Sequence, residues 1–287
     1  MTTTERPVFN TGLGANFAPE ILPNSVVIRR ASTPSDFAAW LKVCQKHFPD
    51  TAQLTVDYIQ EQARVTRRVQ SQFWMMEEGG ELVGVRWTAH IPGSPYASGI
   101  YGAIEEPYQG GGRYPRLMQE SESFLIARGV SLITIECIDP FSCSDAEEAR
   151  KAAGRIKYFT RHGYLFVDPS KVRYYRPDAD HDRPDFAKTV QTGFTFGFKP
   201  LRDPGKFLDF RKGSPILSKS RFIGLYLASV HLETEIDVDT LRTQFSAVQT
   251  EFEEVDRLNA SDVPLIWDPA AIPQQVQERS LTPTPYI

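Results

Sequence analysis

The sequence predicts an α/β protein: a mixed central sheet flanked by helices, followed by a smaller C-terminal α+β extension. Three observations predict it. The apolar pattern changes from a helical to an alternating period near residue 72. Strand-like and helix-like segments then follow one another to about residue 177. Three successive glycines, Gly110, Gly111 and Gly112, stand between a strand-like and a helix-like segment.

The composition suits such a fold. The chain has 287 residues, 41% hydrophobic and 24% charged, with 32 Lys+Arg against 36 Asp+Glu. That is long enough to bury a sizeable core and too apolar for disorder. The mixed charges lack the concentrated basic excess of a nucleic-acid binder. No apolar run approaches the roughly 18 residues of a membrane span, and residues 1–7 have no apolar signal core, so a cytoplasmic location is expected. Three cysteines, Cys44, Cys137 and Cys143, form no CxxC pair. Neither a disulfide framework nor a metal site is expected.

Residues 1–25 read as a flexible leader. Val26-Val-Ile-Arg-Arg is a short strand, and Thr33 before Pro34 marks a helix start that runs through Trp40, Val43, Cys44 and Phe48. A second helix is expected from Val56 to about Val69. Phe73 to Met76 and Glu81 to Ala89 are strands joined by a Glu78-Gly79-Gly80 hairpin turn. Ala97 to Ile104 is a third strand. After the glycines comes a helix with apolar residues Leu117, Phe124 and Leu125, closed by Gly129. Ser131 to Ile138 is a strand apolar enough for burial on both faces. Asp145 to His162 is a helix with acids at its start and bases at its end, complementing its dipole. Strands follow at Tyr164 to Val167 and Val172 to Tyr175. Thr189 to Phe198 reads as a strand with Phe194, Phe196 and Phe198 alternating. Helices are expected at 220–232 and 238–258, and a proline-containing tail at 261–287.

The segment that points to chemistry is Tyr108-Gln-Gly-Gly-Gly-Arg-Tyr-Pro. Glycines let backbone N–H groups converge, and a following helix N-terminus adds its dipole, which together suit a phosphate or pyrophosphate. The Walker Lys-Ser/Thr pair is absent, and the dinucleotide fingerprint does not fit. A plain glycine turn is the competing reading.

With the order hairpin, strand, glycine loop, helix, buried strand, helix and strand, residues 26–177 resemble the GCN5-related N-acetyltransferase (GNAT) superfamily. Gln109, Gly112 and Tyr114 stand at the loop-motif positions. Phe159 to Tyr164 resembles the late aromatic helix that ends in glycine, and Glu136, Pro140, Arg155, Arg161 and Tyr175-Arg-Pro177 fit one bacterial branch. The resemblance implies a 26–177 catalytic domain, a 178–260 extension and the tail, with the strand 97–106 splaying from its neighbour. It implies that Ile104 to Glu106 pair with the pantetheine arm, with Ile104 and Glu106 named as contacts. Gln109, Gly110, Gly111, Gly112, Arg113 and Tyr114 would hold the pyrophosphate of acetyl-CoA or another acyl-CoA. Arg113 and Arg116 are alternatively solvated arginines.

Two positions depart from the pattern. Tyr114 stands where Gly or Ala is usual. Phe159 stands where the family often has the tyrosine that protonates the leaving thiolate, which moves the hydroxyl to Tyr158. On an ideal helix Tyr158 shares a face with Lys151, Arg155 and His162, so partial exposure is expected of it.

N-acyl transfer needs a base for the amine, stabilisation of the developing oxyanion and a departing thiolate. Glu136 is the first candidate base, because a carboxylate in an apolar strand is costly unless paired or functional. A buried ion pair with a basic residue of the 145–162 helix is the alternative. Glu105 and Glu106 follow as candidate bases or solvated loop acids, and His90 and His162 are read as structural. Cys137 should point to the opposite sheet face, into the core. Trp74, Trp87 and Tyr101 are core or acceptor-pocket residues.

The expected function is N-acetyl transfer from acetyl-CoA to a small-molecule amine by direct attack in a ternary complex, with no nucleic-acid or membrane partner. A different acyl donor, or a non-catalytic acyl-CoA-binding module, are the alternatives. Residues 178–260 have three uses open to them: completing the acceptor site, forming a homodimer surface through 238–258, or a degenerate second copy. The scattered Gly193, Gly197 and Gly205 argue against the last.

Overall fold

A computed structural model of the chain describes residues 26–64, 68–169, 175–180, 183–191, 193–211, 214–216 and 229. The expected leader, the helix 238–258, the tail and all of the helix 220–232 except Ser229 lie outside the described residues.

Thr33 starts the first helix as its sequence predicts. β1 (Val26–Arg30) leads into α1 (Pro34–His47), where the Thr33 hydroxyl accepts from the Asp36 N–H and the Asp36 carboxylate accepts from the Thr33 N–H at 3.0 Å. This reciprocal cap satisfies two donors that the helix itself leaves free. Arg29 ties the same carboxylate to the sheet, donating to Asp36 at 2.8 Å and to Glu77 at 2.7 Å. α2 (Val56–Gln62) stops seven residues short of the expected Val69. Val69 is instead buried against Ala89 at the entry to the sheet, so its apolar character belongs to strand packing.

The chain then builds β2 (Gln70–Glu78), β3 (Glu81–His90) and β4 (Tyr96–Ile104), each antiparallel to the one before. α3 (Arg113–Ala127) returns the chain to β5 (Leu132–Ile138), which lies parallel to β4. α4 (Ala146–Arg161) begins at Asp145, whose carboxylate accepts from the N–H groups of Glu147 and Glu148, both at 2.8 Å. β6 (Leu165–Phe166) follows. β7 (Tyr175–Asp180) and β8 (Arg183–Gln191) pair as a separate hairpin, and β9 (Phe194–Pro200) rejoins the main sheet. β10 (Asp209–Arg211) and β11 (Ser214–Ile216) form a further small hairpin.

The main sheet has seven strands in the order β1-β2-β3-β4-β5-β9-β6. Mixed pairing with helices on its faces is the fold class expected from the sequence. Phe194–Pro200 lies inside the sheet, between β5 and β6. The single strand expected at 189–198 is corrected to two, because Gly193 takes φ 65° and breaks the run between β8 and β9. Only glycine enters that region without steric cost.

Alternation along the strands gives the sheet two covered faces. On one, Phe73, Met75, Val85, Trp87 and Ala103 meet Trp40, Leu41 and Ile59 of α1 and α2. Trp40 is fully buried, edge-on to Phe73 at 4.9 Å, and its indole N–H donates to the Trp74 carbonyl at 3.1 Å. Burial of each such ring stabilises the fold by about 1.5–3 kcal/mol. On the other face, Ile133, Ile135 and Cys137 meet Met118 and Leu125 of α3 and Ala149, Ala153 and Ile156 of α4. No helix among the described residues is long and apolar enough to cross a membrane.

Candidate functional site

β4 and β5 pair only from Tyr96↔Leu132 to Gly99↔Ile135. Beyond that point β4 runs on to Ile104 and β5 to Ile138 with no ladder between them. The parting exposes one edge of β4. The Glu105 N–H donates to Val83 of β3, so by antiparallel alternation the backbone groups of Ala103 also face β3, while those of Gly102 and Ile104 face the opening. The Ile104 carbonyl confirms the direction, since it accepts from the Gln109 side chain at 3.2 Å.

The exposed edge runs directly into the glycine loop. Gly110, Gly111 and Gly112 have φ of 87°, 56° and 70°. Three successive left-handed residues are open only to glycine. Gly112 caps α3 with no side-chain hydrogen bond, and the first turn of α3 holds no acid. Unsatisfied N–H groups at a helix N-terminus and the partial positive charge there suit an anionic oxygen. Arg113 is not a free phosphate ligand: it donates to Glu78 at 2.6 and 2.9 Å and lies over the Tyr108 ring. Glu106 is exposed within the turn before the loop, and Arg116 is exposed on the first turn of α3.

Tyr114, the bulky residue at a usually small position, points inward. A Cβ added to Gly102 would collide with the Tyr114 hydroxyl, so the ring occupies space that Gly102 leaves vacant. Burial raises the Tyr114 phenol above its ordinary pKa. Its ring lies 6.1 Å from both Tyr158 and Phe159. Tyr158 is partly exposed as a residue, as expected, while its hydroxyl is buried and has no hydrogen-bond partner among the described residues. Burial, and to a lesser degree Tyr114, push its pKa well above the ordinary phenol value, and Arg86 opposes the rise. Helix geometry does not foretell the burial of the hydroxyl, because α3 brings the Tyr114 ring to that flank of α4.

Arg86 is the polar residue that sequence reasoning missed. It stands opposite Gly102 in the β3–β4 ladder and is 2% exposed. Its Nη2 lies 3.3 Å from where a Gly99 Cβ would be, at the apex of the opening. Nη2 donates to the Tyr164 hydroxyl at 3.3 Å, Tyr164 donates to Glu122 at 3.0 Å, and Lys199 donates to the other Glu122 oxygen at 2.7 Å. Nε and Nη1 of Arg86 have no partner among the described residues. The signal was available: Arg86 interrupts the apolar run Val83-Gly-Val-Arg-Trp just as Glu136 interrupts its own strand.

The candidate carboxylates sit on the opposite face. Glu105 reaches α1, where it pairs with Lys46 and lies 3.7 Å from His47 Nε2. Glu136 is directed by alternation away from Cys137 and hence from α4, toward the face where Thr134 meets Ser229 at 3.3 Å. Cys137 is core, with burial pushing its thiol up to about 12. Trp74 and Trp87 are buried, and Tyr101 packs on Phe48 at 4.9 Å, which favours the core reading of all three. Among the described residues no group of three or more His, Cys, Asp or Glu is placed to hold a metal ion.

No family model and no curated protein matches the chain. Solved structures similar to it include Ard1 from Thermoplasma volcanium, 16% identical over 62% of this chain and 99% of that one, with a TM-score of 0.42. PaiA N-acetyltransferase from Thermoplasma acidophilum, in complex with coenzyme A, is 13% identical over 61% and 99%, with a TM-score of 0.40. An acetyltransferase of the GNAT family from Streptococcus pneumoniae is 13% identical over 61% and 98%, with a TM-score of 0.41.

Proposed function

We propose that this chain is an acyl-CoA-dependent N-acyltransferase of the GNAT type that acylates a small-molecule amine, with acetyl-CoA as the simplest donor. One observation carries the reading: β4 parts from β5 after Gly99 and Ile135, and its bared edge leads straight into three left-handed glycines at the start of α3. An extended, amide-bearing chain that ends in a pyrophosphate matches that sequence of features. Its amides pair along β4, and its phosphates meet the N–H groups of Gly110 to Gly112 and the start of α3.

The chemistry then divides between the two sheet faces. The amine nitrogen attacks the thioester carbon, a C–N bond forms, and the C–S bond breaks. The Gly102 and Ile104 backbone edge supplies N–H groups for the charge that develops on the carbonyl oxygen. Glu105, just past the end of β4, and Glu136, in β5, both directed away from α4, are the candidate acceptors for the proton that the amine loses. The sulfur departs as the CoA thiolate, and Tyr158, whose pKa is raised by burial, stays protonated at neutral pH, so its hydroxyl is a donor rather than a base.

Isothermal titration of the full chain with CoA and acetyl-CoA, followed by transfer assays on a panel of primary amines, tests this reading. Saturable CoA binding with release of free thiol only when an amine is present is the expected result. Binding without turnover across the panel would assign the fold to acyl-CoA binding alone, and absence of CoA binding would overturn the proposal.

A further inference from the structure

Beneath the opening lies a buried group of charges that does not balance. Among the described residues Arg86 and Lys199 face a single acid, Glu122, at 3.9 Å and 2.7 Å, which leaves one positive charge in excess there. Lys199 is a quarter exposed and can be served by water, whereas Arg86 is 2% exposed. The Nε and Nη1 atoms of Arg86 carry three of the five guanidinium N–H groups, and none has a partner among the described residues. The Tyr158 hydroxyl is a further buried donor without an acceptor. Each such orphan weighs against the fold, because a buried donor has lost its water, and a fold that keeps several together at one place is short of an acceptor there.

The position says what the acceptor belongs to. The Nη2 end of the guanidinium lies 3.3 Å from the Cβ position of Gly99, the last residue of β4 still paired to β5, at the closed end of the cleft. On the acyltransferase reading, on which this inference rests, the thioester carbonyl sits along the Gly102 and Ile104 edge, so atoms of the acyl chain beyond it extend toward Arg86. An acetyl methyl group offers those donors nothing. A phosphate dianion would overcompensate the single surplus charge, whereas a carboxylate balances it.

We infer that the cleft takes an acyl donor whose chain ends in a carboxylate, the CoA monothioester of a short dicarboxylic acid, held at its far end by Arg86 and the Tyr158 hydroxyl. The transfer is then the same exchange of a C–S for a C–N bond. The distal carboxylate takes no part in it and anchors the chain.

Titration calorimetry of the full chain with CoA, butyryl-CoA and succinyl-CoA compares acyl chains of equal length that differ in the terminal charge. Succinyl-CoA should bind at least about tenfold more tightly than butyryl-CoA, the effect of a charge-assisted hydrogen bond. Arg86→Met should abolish that preference, and Tyr158→Phe should reduce it. The wild-type comparison stands even if Arg86→Met fails to fold. CoA and butyryl-CoA binding with no gain for succinyl-CoA would overturn this inference while leaving the acyltransferase reading intact. No binding by any of the three would overturn both.

Discussion

The two flanks of the β4–β5 opening are finished to different degrees. On the α1 flank Glu105 already holds a cation, Lys46, with His47 beside it. On the α3–α4 flank Arg86 and Tyr158 present donors with nothing to receive them. A pair between partly exposed groups costs little to keep or lose, while buried orphan donors weigh against the unliganded fold. The difference teaches where ligand energy is to be found: the acid flank can exchange one ammonium for another, and the donor flank gains only when something enters the cleft.

The sharpest way to break this contrast is to remove the acids. Glu105→Gln and Glu136→Gln, assayed singly by steady-state kinetics, separate the two candidate bases. The true base should lose about 10²–10⁴-fold in kcat, and the other variant should stay near wild type. Equal, small losses in both would show that neither flank acid takes the proton.

On the donor flank, Gly102→Ala should destabilise the fold by about 1–3 kcal/mol in urea unfolding, because its methyl group meets the Tyr114 hydroxyl. Tyr114→Ala in the same chain should return much of that loss. An additive double variant would disprove the mutual fit of ring and glycine.

A smaller effect tests the support of the acid flank. Thr33→Ala removes the α1 cap and should cost about 1 kcal/mol. The Arg29 guanidinium holds the Asp36 carboxyl far below its ordinary range. Its folded pKa is therefore lower than its unfolded one, so the stabilisation is complete above pH of about 4 and fades as pH falls below that. Asp36→Asn should flatten the acid side of a thermal-melting profile, and an unchanged profile would remove Asp36 from the account. Least affected is the thiol set: Cys137, with its thiol near 12, should resist alkylation at pH 8 in the folded protein and react once unfolded.

Much of this architecture is legible in local patterns. The Thr33 cap, the acids that open α4, the hairpin glycines and the strand patterns of β2 to β5 are each written within a few adjacent residues, and each element stands where it was expected. The glycine loop was legible too, since its three residues must all take positive φ. What escaped depends on residues far apart in sequence. The burial of the Tyr158 hydroxyl escaped because Tyr114 packs beside it, and Tyr114 fits only because Gly102 lacks a side chain. Arg86 was overlooked because its partners lie far along the chain, Glu122 in α3, Tyr164 in the connection from α4 to β6, and Lys199 in β9. The place of β9 escaped for the same reason: nothing local in Phe194 to Pro200 says which strand edge it completes.

The place of β9 has a bearing on how the chain is made. β5 leaves the ribosome with its outer edge bare, and the strand that covers it emerges only after α4, β6 and the β7–β8 hairpin. At roughly 5–20 residues per second this exposure lasts several seconds. During that interval the apolar stretch Leu132–Ile138 is an open template for pairing with another nascent chain. The 175–191 hairpin pairs within itself and does not shorten the wait, so a message truncated before Phe194 should yield a protein that aggregates as it is synthesised.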